Sequence, residues 1–223
     1  MLEQQDRFLP LFASHVFQLY VDHDTDALLQ DKSWIYSANQ DMKKPDEDYR
    51  ILEKYPIFRD VFLDKFNKLA KEFYALDNKF MISTSWLTIT EPGEGGQSQH
   101  HFHKNSFFSG VYYYDDYEED AGQIEFMTPL EYHSDFYLEP VDYTLNNSSS
   151  WRLSPQKNML VLFPSYLKHK VNEHKGTRPR YSLAMNFIPV GKYGTSDSTV
   201  DTGWHSGDTT EEEDPLLKGF RKI

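Results

Sequence analysis

Residues 100–114 read HHFHKNSFFSGVYYY, and residues 161–188 read VLFPSYLKHKVNEHKGTRPRYSLAMNFI. The fold turns on how these two stretches meet. Side chains two apart in a β-strand point the same way, so if the first stretch enters a strand, His101 and His103 share one face. The second stretch supplies His169, five residues beyond Pro164, and then Arg180 and Ser182, which alternate onto one face of the apolar run RYSLAMNFI. Together they outline a candidate metal site with an anion anchor beside it.

Outward from these stretches the pattern is one of short strands. Residues 80–90, FMISTSWLTIT, are rich in β-branched and aromatic residues, and EPGEGG closes them with turn chemistry. After the His-rich segment come the strand FFSGVYYYD, the acidic turn DYEEDAG, the strand QIEFMT, a short DFYLEP, a loop NNSSSWRLSPQ and the strand NMLVLFP. Strands that follow one another without intervening helices predict an antiparallel sandwich or barrel, most naturally a jelly roll. One strong helix signal precedes them. Phe58, Phe62, Phe66, Leu69, Phe73 and Leu76 recur at steps of three and four after Pro56, predicting an amphipathic helix over about 56–76 packed on the back of a sheet. Residues 16–21 alternate as an outer strand would, and the polar tail over 192–214 reads as a mobile or surface-wrapping segment. A single domain over 1–223 is expected, with its core at about 80–190.

Composition narrows the function classes. The formal charge is −12, with 35 acidic against 23 basic residues, which argues against a general nucleic-acid surface. There is no cysteine, so any metal ligands must be His, Asp or Glu. No apolar run approaches membrane-spanning length, and the N-terminal MLEQQDRFLPLF lacks the pattern of a signal peptide, so a soluble, cytoplasmic protein is expected.

His15, His23 and His205 have no metal-like context, while His133 and His174 sit in polar loops and are expected to be solvated. Phe107, Phe108, Tyr112 and Tyr114 read as core. On the inner face, Arg180 would grip a carboxylate through its planar fork, with Ser182 as a hydroxyl donor and Tyr113, which faces the same way as Val111, as a phenol donor. The competing expectation for Arg180 is a surface ion pair in an acidic protein.

The segments WLTITEPGEGGQSQHHFHKNSFFSGVYYY, GQIEFMTP and NMLVLFPSYLKHKVNEHKGTRPRYSLAMNF resemble a family of 2-oxoglutarate- and Fe(II)-dependent oxygenases, common in bacteria and phages, whose members carry HxHxxSxxSGVYY, FPSxLxHxV and RxSxxxN. The resemblance implies a double-stranded β-helix with Fe(II) held by His101, His103 and His169. It also implies 2-oxoglutarate held at Arg180 and Ser182, with Tyr113 and Asn186 beside it. Three side chains on one face of the metal leave adjacent positions open for a bidentate cosubstrate and dioxygen. The implied activity is hydroxylation of an unidentified substrate, with release of succinate and CO2, in the cytoplasm of a producing cell or phage host. Most of the wider superfamily has an acidic residue where His103 stands, and a neutral imidazole there leaves the centre one unit more positive. Two alternatives remain at this level: a three-His cupin-type dioxygenase that needs no 2-oxoglutarate, and a non-catalytic, metal-binding jelly roll.

Overall fold

The computed structural model describes residues 12–31, 33–36, 49–92, 97–129 and 139–202. Its first strands and helices are β1 (Phe17–Tyr20), α1 (Asp26–Gln30), β2 (Trp34–Tyr36), α2 (Pro56–Glu72) and β3 (Lys79–Thr90). Then come β4 (Phe108–Tyr113), β5 (Ile124–Met127), β6 (Ser150–Leu153), β7 (Met159–Pro164), β8 (His169–Val171) and β9 (Arg180–Val190), followed by the small hairpin β10 (Lys192–Tyr193) and β11 (Val200–Asp201). The larger sheet has six strands in the order β1-β7-β4-β9-β3-β2, and the smaller has three in the order β6-β5-β8. All these pairings are antiparallel except the edge pair β2–β3, which is parallel. This is the expected jelly roll, a double-stranded β-helix backed by one helix.

The period of two along each strand sorts its side chains onto two faces. On the larger sheet, Phe108 and Tyr112 of β4, Leu160 and Leu162 of β7, and Leu183, Met185 and Phe187 of β9 join one apolar cluster with Phe58, Phe62, Phe66 and Leu69 of α2. Their neighbours in sequence turn the other way. Val111, Tyr113, Met159, Val161 and Phe163 meet Ile124 and Phe126 of the smaller sheet in a second cluster. Strands β4 and β7 are therefore buried along their whole length, as strands covered on both faces must be. Gly110 at the centre of β4 reflects this crowding, since a Cβ there would lie 2.8 Å from Leu162 Cδ2.

Helix α2 starts with Pro56 in its first turn, where no amide partner is needed. The regular helix stops at Glu72, short of the apolar periodicity that runs on to Leu76. Ala75 takes a left-handed φ of 54° and the Leu76 amide donates to the Ala70 carbonyl at 2.9 Å, which closes a Schellman-type turn without the usual glycine. Leu76 still packs against the core from that turn.

The stretch expected to be a loop, NNSSSWRLSPQ, contains strand β6. Its Leu153 packs against the inner cluster, while Arg152 pairs with Glu125 at 3.4 Å. Four residues are too short a run to stand out in the sequence. The expected outer strand at 16–21 is β1, at the edge of the larger sheet. Of the polar tail, 192–202 form the β10–β11 hairpin with its flanking residues, while the rest, like most of DFYLEP, lies outside the described residues. Among the described residues no helix is long and apolar enough to cross a membrane.

Phe66 is fully buried, with its ring centroid 5.0 Å from Phe80, 5.1 Å from Phe108 and 4.4 Å from Phe187. Truncation there removes apolar contacts and leaves a cavity, so Phe66→Ala should lower unfolding free energy by about 3–5 kcal/mol in a urea titration. A loss under about 1 kcal/mol would show that α2 does not pack as described.

Candidate active site

His101 does not lie within a strand. It forms a single antiparallel bridge with His169, in which each residue's amide donates to the other's carbonyl at 2.9 Å. Directly paired residues of an antiparallel bridge point their side chains the same way, and the two imidazole centroids are 4.4 Å apart. His103 is fixed separately, its amide donating to the Ser165 carbonyl at 3.0 Å. Its ring lies 5.3 Å from that of His101 and 5.2 Å from that of His169. The three nitrogens available as ligands all lie within 4.8 Å of one another. The expected convergence occurs, but two backbone pairings produce it rather than a strand through 101–103. Asn105, with a φ of 56°, then turns the chain into β4, a conformation Asn tolerates better than most residues.

The tautomers follow from the partners. His101 Nδ1 lies 2.8 Å from the Gln99 carbonyl and His169 Nδ1 lies 2.9 Å from the Leu167 carbonyl. A carbonyl only accepts, so each Nδ1 carries a proton, which leaves Nε2 as the ring atom that can face a metal. Burial, followed by the neighbouring His101, depresses the His103 pKa to about 4. Burial first, and then His101 and His103 against an opposing hydrogen bond at Leu167, depress that of His169 to about 3. Neutral imidazoles with free Nε2 atoms are the form a divalent metal requires, so these residues fit such an ion.

Arg180 lies on the inward face of β9 and is 2% exposed. Its Nε donates to the Gly122 carbonyl at 2.8 Å and its Nη2 donates to the Tyr113 hydroxyl at 3.2 Å. Those contacts use two of five N–H donors. Among the described residues no carboxylate forms an ion pair with it, so the surface ion pair weighed from the sequence is not what the fold builds. Ser182, two residues on, shares a 2.6 Å hydrogen bond with Thr88 of β3. Burial raises the pKa of the Tyr113 phenol against the opposing charge of Arg180, leaving a neutral hydroxyl. Asn186 has both amide ends engaged within the protein, accepting from Ser109 at 2.8 Å and donating to Thr84 at 3.0 Å.

Several residues of the site were not singled out from the sequence. Ser106, Ser165 and Ser109 form a hydroxyl chain with 2.8 Å links that runs from the exit of the HxH segment to Asn186. Trp86 of β3 places its ring 5.9 Å from that of His103. Its signal was present as the period-two series Thr84, Trp86, Thr88 and Thr90 on one strand. His174, expected to be solvated, is 2% exposed and its Nε2 is 2.7 Å from the Arg178 carbonyl. A polar loop sequence does not reveal that the loop folds back on its own ring. His133 and His205 lie outside the described residues. Phe108, Tyr112 and Tyr114 are core, whereas Phe107 is 41% exposed.

Residues 84–186 match the model of a family described as "Putative 2OG-Fe(II) oxygenase". Solved structures with similar folds include a non-heme monooxygenase, the ThoJ–Ni complex, at 11% identity, with 57% of this chain and 49% of that one covered and a TM-score of 0.42. A Pseudomonas putida prolyl-4-hydroxylase is 19% identical over 59% of this chain and 65% of that one, with a TM-score of 0.41. A Burkholderia pseudomallei oxidoreductase of the 2OG-Fe(II) oxygenase family is 11% identical over 80% and 70%, with a TM-score of 0.44. The match thus spans about half to two thirds of the first two of these chains. Comparison with curated proteins gives no match. Residues 84–186, a little under half of the chain, are thus similar to the 2-oxoglutarate- and Fe(II)-dependent oxygenases, an enzyme family whose cofactors are Fe(II) and 2-oxoglutarate.

The depressed imidazoles have a consequence for the metal-free protein. Below the ordinary value of 6.5 the unfolded chain takes up protons at His103 and His169 that the folded chain refuses, so stability falls with falling pH. Denaturant midpoints of chelator-treated protein should therefore drop between pH 6.5 and about 4, and His169→Gln should flatten that slope. An unchanged slope in the variant would mean that His169 is not shielded.

Proposed function

We propose that the protein is a 2-oxoglutarate- and Fe(II)-dependent dioxygenase that hydroxylates an as yet unidentified substrate, releasing succinate and CO2. The observation that carries this reading is a buried Arg180 without an ionic partner among the described residues, in a fold that also brings three histidines together. A buried cation is costly unless an anion meets it, and the cosubstrate's far carboxylate is such an anion. A three-His dioxygenase that binds its substrate directly on the metal would need no such group, and a structural zinc site would not need it either.

In this reading His101, His103 and His169 hold the metal through Nε2, with the Gln99 and Leu167 carbonyls fixing two of the rings in orientation. When bound, Fe(II) with 2-oxoglutarate supplies the oxidative decarboxylation and the transfer of an oxygen atom to a C–H bond. Arg180 binds the distal carboxylate by charge-assisted hydrogen bonds, and Tyr113 holds the guanidinium in place while its neutral hydroxyl stays able to donate. Ser182 adds a hydroxyl, oriented by Thr88. Asn186 completes that wall, with one amide hydrogen remaining beyond its bond to Thr84. The apolar side chains of the inner cluster exclude water from around these groups.

Two variants separate metal from cosubstrate. His169→Ala should abolish stoichiometric metal binding with the fold intact by circular dichroism; full retention of metal would refute the ligand set. Arg180→Ala should weaken 2-oxoglutarate binding by at least about tenfold, since hydrogen bonds to charged groups contribute about 1.5–3 kcal/mol each. Arg180→Lys should also bind it more weakly than the parent, because the charge remains but the fork is lost. Calorimetry with Zn(II) in place of iron measures both ligands, and unchanged 2-oxoglutarate affinity in the Ala variant would turn preference to the three-His enzyme. Turnover is checked by succinate formation.

A further inference from the structure

Arg180 owes its position to two chain segments that do not adjoin in sequence: the start of β9, which carries it, and the 115–123 segment, whose Gly122 carbonyl accepts from its Nε. Between them runs a strap. The ladder in which Ile124 of β5 faces Val171 of β8 continues past the strand ends, with the Asn172 amide donating to the Gln123 carbonyl at 2.8 Å and the Lys175 amide to the Asp120 carbonyl at 3.0 Å. Farther along, the Glu118 carboxylate takes the place of a backbone acceptor. It receives the Thr177 amide at 2.6 Å, the Thr177 hydroxyl at 2.7 Å and the Arg178 amide at 3.1 Å. The Arg178 guanidinium returns a bond to the Asp116 carbonyl at 3.1 Å. His174 closes the turn from inside, its Nε2 toward the Arg178 carbonyl. Gly176 is where it must be, because a Cβ there would stand 2.5 Å from Glu118 Oε2 and 2.7 Å from His174 Cε1.

We propose that Glu118 is a positioning residue for the cosubstrate's anion anchor. By pinning Thr177 and Arg178 to the acidic turn, it sets the distance between the Arg180 backbone and the Gly122 carbonyl, and so holds the guanidinium aimed into the site before 2-oxoglutarate arrives. The inference rests on the reading of Arg180 as the cosubstrate's ligand. A long side chain held in its binding pose loses little further freedom when the ligand enters. Without Glu118, two backbone amides and a hydroxyl lose their shared acceptor, the two segments can separate, and Arg180 must be ordered at the expense of binding. Glu118 bonds to Thr177 and Arg178, not to the three histidines or to Arg180. Its effect should therefore appear in one affinity and not in the other.

The test is calorimetric titration of Zn(II) and then 2-oxoglutarate into the parent protein, Glu118→Ala, Glu118→Gln and Gly176→Ala. Glu118→Ala should bind Zn(II) as the parent does and 2-oxoglutarate about tenfold more weakly. Glu118→Gln keeps an acceptor oxygen and should retain most of the affinity. Gly176→Ala, which pushes on the strap from its other side, should reproduce the selective loss. Parental 2-oxoglutarate affinity in Glu118→Ala, or equal loss of Zn(II) and 2-oxoglutarate affinity, would overturn the proposal. Failure of the parent protein itself to bind 2-oxoglutarate would instead overturn the oxygenase reading beneath it, so the two failures are told apart by which protein shows them.

Discussion

The site depends first on the reciprocal pair of main-chain hydrogen bonds between His101 and His169. Backbone amides and carbonyls make that pair, so its strength does not depend on the imidazoles it brings together. It ties the segment entering β4 to the start of β8, and with them the face of the larger sheet to the edge of the smaller one. His103 joins through another main-chain bond, to the Ser165 carbonyl. The polypeptide thus arranges the three rings by its own pairing, and the side chains bear only the cost of shielding one another from water. That cost is visible in the lowered pKa values of His103 and His169.

Arg180 poses the opposite problem. It is a permanent charge placed deep in the fold, satisfied there by a carbonyl and a phenol, neither of which neutralises it. Such an arrangement weakens an isolated domain and is tolerated where something anionic is to be received. In the proposed reading the buried arginine and the clustered histidines would be complementary, the one receiving an anion and the others a cation.

Much of this was legible in the sequence because it rests on periodicity. The alternation RYSLAMNFI places Arg180 and Ser182 inward and Leu183, Met185 and Phe187 against the helix, and the stripe from Phe58 to Leu69 says what covers them. The three histidines were legible as a set, but not the reason they converge, since a strand through 101–103 was expected and a single bridge brings His101 to His169. Features that depend on distant partners left no local mark. Strand β6 is visible only once Arg152 is opposite Glu125, β2 only beside β3, and the burial of His174 only when its loop closes on the 115–123 segment. The helix stop at Glu72 escaped notice because Ala75, and not glycine, takes the left-handed turn. Asn186 was read from its motif as a cosubstrate group, and the fold shows it also acting as a tie between β9, β4 and β3.

The two layers of the jelly roll differ in thickness. Six strands and a seventeen-residue helix stand on one side, three strands of three or four residues on the other. Elements with fewer partners open at lower free energy, so the thin layer is the natural site of breathing. Since His169 belongs to that layer and His103 is tied to the end of β7 in the thick one, a bound ion would rivet the seam between them. Metal occupancy would then set how often the interior opens to water, and whether the protein stands as a closed shell or as a hinged one.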